Sequence, residues 1–194
     1  MNTYLLNELL KTKMPSYNFT FKILLLGANS VGKQSLMKRY CYNIFNPAER
    51  LTIGVDFHVK TIEYYGRKIK MQIWHVGNEE RFRFLLPMYC LGASGAFLLY
   101  DITRSSTLDN IPEWVSIVRQ KAGAIPIILI GSKLDLEEQR VISTEQGKLT
   151  AENYDLSSFA EVSAKTGQNV IRVFQNMVQM ILERYPDSQK VEEF

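Results

Sequence analysis

Apolar and polar positions along this chain follow two different periods. Three short runs, Phe21–Leu26, Gly95–Tyr100 and Ile125–Ile130, carry almost no polar side chains and predict strands buried on both faces. A shorter one, Phe159–Val162, predicts a last strand. Val55–Tyr64 and Lys68–Trp74 read as a hairpin turning at Tyr65-Gly66. In its second arm Ile69, Met71 and Ile73 point one way and Lys68, Lys70 and Gln72 the other. Between these runs the spacing changes to that of helices: Lys33–Cys41, Leu85–Leu91 around Pro87, Ile111–Lys121, Ser143-Thr144 to Tyr154, and Asn169–Arg184. Pro112 suits a first turn and Gly123 a stop. The last helix gathers Val170, Phe174, Met177, Val178 and Ile181 on one face. Residues 42–52, with Asn46-Pro47, and the polar stretches His75–Arg83 and after Ile130 read as loops. Strands alternating with helices predict an α/β fold: a mostly parallel six-stranded sheet with one antiparallel hairpin strand, helices on both faces, and ligand loops at the strands' carboxyl ends.

One loop stands out. Gly27-Ala28-Asn29-Ser30-Val31-Gly32-Lys33 follows a buried strand and opens a helix, which is the spacing and the setting of a phosphate-binding loop. Gly27 and Gly32 let the backbone turn tightly, so that the N–H groups of Asn29, Ser30, Val31 and Gly32 face an anion. Lys33 adds a positive charge, and the helix behind it adds its N-terminal dipole. Taken alone, the same residues would serve as a glycine-bearing turn between strand and helix. Such a loop calls for Ser or Thr directly after the lysine as a Mg²⁺ ligand, but Gln34 stands there. Ser35 comes one residue late, about 100° further round a helix. The expectation is an intact anion cradle with a damaged metal site, to which the Gln34 amide oxygen is a doubtful donor.

With 194 residues, 46% of them hydrophobic, the chain suits one domain over residues 19–185 between an N-terminal extension, 1–18, and a short tail, 186–194. Leu5, Leu6, Leu9 and Leu10, followed by Lys11 and Lys13, make the extension a candidate amphipathic helix. It either packs on the domain or contacts a partner or membrane surface. A net charge of +3 is too small to argue for nucleic acid. The two cysteines, Cys41 and Cys90, lie far apart and read as reduced thiols of a cytoplasmic protein. No apolar run approaches the roughly 20 residues of a membrane span. Asn2 stands where a myristoylation signal needs glycine, and the last residues, SQKVEEF, hold no cysteine to prenylate. No familiar lipid anchor is therefore expected, and membrane contact would be peripheral.

Further stretches, Thr52-Ile53-Gly54-Val55-Asp56-Phe57, Trp74 with Glu80-Arg81-Phe82-Arg83, and Leu98-Leu99-Tyr100-Asp101-Ile102-Thr103, resemble the Rab branch of the Ras-like small GTPases from about Phe21 to Tyr185. The pair Val76-Gly77 is closer to the Arf-like pattern. The resemblance implies a P-loop NTPase G-domain that binds GTP and GDP with Mg²⁺. Ser132-Lys133-Leu134-Asp135 matches the base-recognition loop, usually Asn-Lys-x-Asp. Asp135 would then accept from the guanine N1 and N2 edge, Lys133 would pack along the base, and the shorter Ser132 would lose contacts to the base and to the phosphate loop. Ser163-Ala164-Lys165 matches the second base loop, and Phe45 an aromatic edge-on to the base. Thr52 falls on the first switch threonine, a Mg²⁺ ligand in the family.

The second switch departs from the family. In place of Asp-x-x-Gly-Gln stands His75-Val76-Gly77-Asn78-Glu79. His75 replaces a carboxylate that supports the metal, Asn78 a glycine that meets the γ-phosphate, and Glu79 the glutamine that orients the attacking water. Glu79 is therefore a weak catalytic candidate, and His75 either a tolerated replacement or a new base. The resemblance implies a guanine-nucleotide switch with weakened Mg²⁺ binding and slow hydrolysis, whose effector or regulator proteins dock at the two switches near Phe57, Trp74 and Phe82. The alternative is a catalytically dead scaffold of the same fold; an ATP-dependent P-loop enzyme is disfavoured by Asp135.

Overall fold

The strand that carries the phosphate loop lies in the middle of the sheet, and its sequence explains why. In β1, Phe19–Gly27, the residues from Phe21 onward are apolar on both sides, and all but Lys22 are buried. Such a strand is stable only with helices over both faces. The computed structural model describes residues 17–47, 54–77 and 84–185. After β1 come α1 (Lys33–Tyr42), β2 (Val55–Tyr64), β3 (Arg67–Val76) and α2 (Leu86–Cys90). Then follow β4 (Gly95–Asp101), a short α3 (Ser106–Asp109), α4 (Ile111–Ala122), β5 (Ile127–Ser132), α5 (Thr144–Asn153), β6 (Ser158–Val162) and α6 (Val170–Leu182). The sheet order is β2-β3-β1-β4-β5-β6; only the β2–β3 pair is antiparallel. This is the expected mixed α/β sheet, and the hairpin turns at Tyr65-Gly66, both with positive φ, as a tight turn requires.

Alternate side chains of the strands divide the core in two. Phe21, Ile23 and Leu25 meet α1 and α6 through Met37, Tyr40, Phe174 and Met177. Leu24 and Leu26 face the other side, with Cys90, Trp114 and Ala151 of α2, α4 and α5. Tyr40 lies flat on Phe174, their rings 3.7 Å apart, so α1 is clamped to α6 directly behind the phosphate loop. The start of α5 is a reciprocal cap: the Gln146 N–H donates to Ser143 Oγ and the Ser143 N–H to Gln146 Oε1.

Two polar segments are ordered turns of helix, and the second of them, after Ile130, reads from the sequence as a loop. Ser106–Asp109 forms one, and Leu134–Gln139 winds as a 3₁₀ stretch directly after the base loop. Both come soon after a buried strand and are too short and too polar to show a period. The proposed extension is outside the described residues except Tyr17 and Asn18. Asn18 exchanges two hydrogen bonds with Lys68 of β3. The tail, 186–194, is also outside them. Cys41 and Cys90 are both free thiols. Among the described residues no helix is long and apolar enough to cross a membrane.

Gly27 ends β1 with φ +136°, and a Cβ there would lie 2.3 Å from the Leu99 carbonyl oxygen of β4. At Gly95 a Cβ would meet first the movable Met177 sulfur, at 2.4 Å. Gly27→Ala is therefore expected to cost about 3 kcal/mol or more, and Gly95→Ala about 1–2 kcal/mol, in urea-unfolding midpoints compared at equal slope.

Candidate functional site

All the parallel strands end at the same edge of the sheet, and the chain passes from one side of β1 to the other between β3 and β4. A crevice is expected where the order reverses in this way. A cavity of about 730 Å³ lies there, bordered by the phosphate loop, Phe45, His75, the segment Ser132–Leu136 and Ala164-Lys165. That volume suits a ligand of nucleotide size. The phosphate loop, Phe45, His75 and the segments around Asp135 and Lys165, far apart in the sequence, are thus brought to one place.

The phosphate loop is built around Lys33. Its ammonium donates to the carbonyls of Gly27 and Ala28, each at 2.7 Å, and only 5% of the residue is exposed. Burial, helped by the charge of Arg104, pushes its pKa down to about 7. Ser30 (φ +59°) and Gly32 (φ +91°) give the loop its winding. Asn29 and Ser30 are exposed at the rim, while Val31 is buried. Gln34 and Ser35 both border the cavity, with Ser35 half-buried, so Ser35 is less remote than its place in the helix suggested.

The base loops are held by side chains. Asp135 accepts from the Ser163 hydroxyl at 2.7 Å, and that hydroxyl accepts from the Thr166 N–H. Lys165 lies 4.0 Å from the other Asp135 oxygen. Lys133, at φ +65°, turns its ammonium onto Asp101 at 2.7 Å. Ser132 departs from expectation. Its hydroxyl lies 2.6 Å from the Val31 carbonyl and 2.7 Å from that of Tyr100, so contact with the phosphate loop is kept, not lost. The shorter side chain reaches because β5 runs directly beside β4 and ends level with the loop.

Three supporting residues were not foreseen. Asp101 is fully buried at the end of β4 and accepts from Thr103 N–H and Oγ1, Arg104 Nε and Lys133 Nζ. Burial works against its charge, but hydrogen bonds from Lys133 and Thr103 outweigh it and hold the carboxyl below its usual range. Arg104 also donates to the Asn29 carbonyl at 2.8 Å. Arg39 of α1 donates to the carbonyls of Ala164 (2.6 Å) and Lys165 (2.8 Å) and so fixes the second base loop. A carboxylate at the carboxyl end of a buried strand was a usable signal for Asp101; nothing local marks the two arginines.

His75, in β3, is 4% exposed, and its Nδ1 has no hydrogen-bond partner among the described residues. Burial first, then Lys33 and His58, push its pKa down to about 3, so the ring is neutral. A neutral imidazole beside a buried ammonium, with a glutamine amide on the loop, is a poor donor set for a hard cation that wants carboxylate and hydroxyl oxygens. No cluster of three His, Cys, Asp or Glu able to hold a metal occurs among the described residues. Thr52, Asn78, Glu79 and Phe82 lie outside the described residues. Phe57, 54% exposed, stacks on the half-buried Trp74 at 5.3 Å; Phe57 is a surface residue, whereas Trp74 also packs against the core that holds Leu24 and Cys90.

Residues 22–183 match the family model described as "Ras family". The chain is 41% identical over 175 residues to "GTP-binding protein ypt2" of Schizosaccharomyces pombe, covering 90% of this chain and 87% of that one. It is 39% identical over 173 residues to "Ras-related protein Rab-10" of Caenorhabditis elegans, covering 89% and 86%. To "Ras-related protein Rab-12" of Mus musculus it is 38% identical over 170 residues, covering 87% and 70%.

In the unfolded chain a histidine takes up a proton near pH 6.5, whereas folded His75 resists until about pH 3. The folded state therefore holds its His75 contribution above pH 6.5 and loses it as pH falls, by at most about 1.4 kcal/mol per pH unit. Urea-unfolding of nucleotide-free protein between pH 6.5 and 4.5 is expected to show this slope, and His75→Gln to flatten it.

Proposed function

The chain belongs to the Ras family of small GTPases, and from that membership we propose that it is a Rab-like guanine-nucleotide switch that holds Mg²⁺ weakly and hydrolyses GTP slowly. The observation that carries the reading is His75: a buried, neutral imidazole where the family has a carboxylate. In this reading Gly27 and Asn29–Ser35 cradle the phosphates of GTP or GDP. Asp135 accepts from the guanine edge, Lys133 lies along the base, Ser132 ties the base loop to the cradle, and Ser163-Ala164-Lys165 present backbone N–H groups to the guanine oxygen. Phe45 stands edge-on to the base. Arrival of phosphate oxygens restores full charge to Lys33, because an adjacent anion favours the protonated form. Bound Mg²⁺ would ordinarily screen the β- and γ-phosphates; here Thr52 is the one family ligand retained, and Gln34 and His75 are weak substitutes. Glu79, a carboxylate in place of the water-orienting amide, is repelled by the γ-phosphate, so hydrolysis is slow.

Effector or regulator proteins would read the switch segments beside the Phe57–Trp74 pair. The protein would act in the cytoplasm, with any membrane contact peripheral and made by the N-terminal extension.

Freshly purified protein is expected to release near-stoichiometric guanine nucleotide on denaturation, with GTP prominent. A site that stays empty after incubation with GTP and Mg²⁺ would replace this reading with the non-catalytic scaffold. The double change Gln34→Ser with His75→Asp should strengthen Mg²⁺-dependent GTP affinity by about tenfold or more, read by fluorescent-nucleotide titration with and without EDTA; an unchanged affinity would overturn the metal-site reading. Asp135→Ala should lose the preference for GDP over ADP, since the paired acceptor for the guanine edge is gone.

A further inference from the structure

We propose that Arg104 is a positioning residue that couples the phosphate loop to the base-recognition loop. Two donors on one rigid guanidinium make the link. Nε meets the Asp101 carboxylate at 3.0 Å and Nη2 meets the Asn29 carbonyl at 2.8 Å. The same carboxylate oxygen of Asp101 takes the Lys133 ammonium at 2.7 Å. The path from the rim of the phosphate loop to the lysine of the base loop is therefore continuous: Asn29, Arg104, Asp101, Lys133. A planar fork meets its two acceptors in directions fixed by its plane, whereas an ammonium is a point charge without one.

The backbone around Arg104 is prepared for this. Its N–H donates to the Asp101 carbonyl, and its own carbonyl accepts from the N–H and hydroxyl of Thr107. The Thr107 hydroxyl in turn accepts from the Asp101 N–H, and Thr107 is 3% exposed. The guanidinium is thus held by a closed turn, although 42% of the side chain faces solvent. Its partner is what separates it from an ordinary surface ion pair: the Asp101 side chain is fully buried. An exposed pair contributes little, whereas a donor to a desolvated carboxylate contributes more. Arg104 is also close enough to act on the charge of Lys33, so it belongs electrostatically to the phosphate end. Removing it leaves Asp101 still paired with Lys133 and Thr103, so the fold is expected to survive.

The binding arm of the test rests on the nucleotide reading above; the structural arm does not. Amide NMR spectra of the full chain are compared for wild type, Arg104→Ala and Arg104→Lys. Arg104→Ala is expected to shift the amides of Asn29–Gly32 and of Lys133–Asp135 together while sparing α6. Arg104→Lys, which keeps the charge but not the fork, is expected to shift the same two groups. Shifts confined to residues 103–107 would overturn the proposal, and so would a wild-type spectrum restored in full by lysine. In calorimetry with GDP and EDTA, Arg104→Ala is expected to weaken binding by about tenfold. Combined with Lys133→Ala, the two losses should be less than additive; additive losses would overturn the coupling. A wild-type chain that takes up no GDP would overturn the nucleotide reading instead, and the amide pattern then decides the coupling by itself.

Discussion

The phosphate loop is closed by its own lysine. With Lys33 donating to two carbonyls of the loop it belongs to, the turn is already wound before any anion arrives. An ammonium buried to this degree would be costly alone, and the two carbonyls offset that cost. Everything around it serves the same geometry. Gly27 brings the end of β1 against the carbonyl of Leu99, the Tyr40–Phe174 stack fixes the helix that carries Lys33, and Ser132 holds Val31 from the side. A loop wound in this way is preorganised, and the binding free energy of an anion there would not be spent on ordering it.

The charges around that lysine favour an anion over a cation. The site keeps its cations, Lys33, Lys133 and Arg104, but the described acidic groups within it, Asp101 and Asp135, are already engaged by side-chain donors. His75 adds no charge. On the proposed reading a polyphosphate would find a field that favours it, whereas a divalent cation would find few hard oxygens among the described residues free to coordinate it. The fold accommodates His75 without a buried charge, because it packs in β3 as a neutral ring.

Much of this was legible in the sequence, and for identifiable reasons. Buried strands such as Leu98–Tyr100 and Ile127–Ile130 announce themselves by unbroken apolar runs, and α6 by its single apolar face. The cradle was readable because tight backbone turns demand glycine. What escaped were features that depend on tertiary neighbours. Ser132 looked too short to reach the loop until the strand register brought Val31 beside it. Arg39 and Arg104 look like surface charges until the backbone carbonyls of distant loops are seen opposite their guanidinium groups. The turns at Ser106–Asp109 and Leu134–Gln139 are too short to leave a periodic trace.

The braces of the site span long stretches of chain. Arg104 reaches back 75 residues to Asn29, Ser132 reaches 101 residues to Val31, and the Arg39 link to Ala164 closes 125 residues. During synthesis the phosphate loop therefore emerges well before the residues that steady it, and the N-terminal half must wait for β5 and β6. The braced loop is then complete only when the sheet is, and a nascent chain halted before Ala164 carries the cradle's residues without its full set of braces.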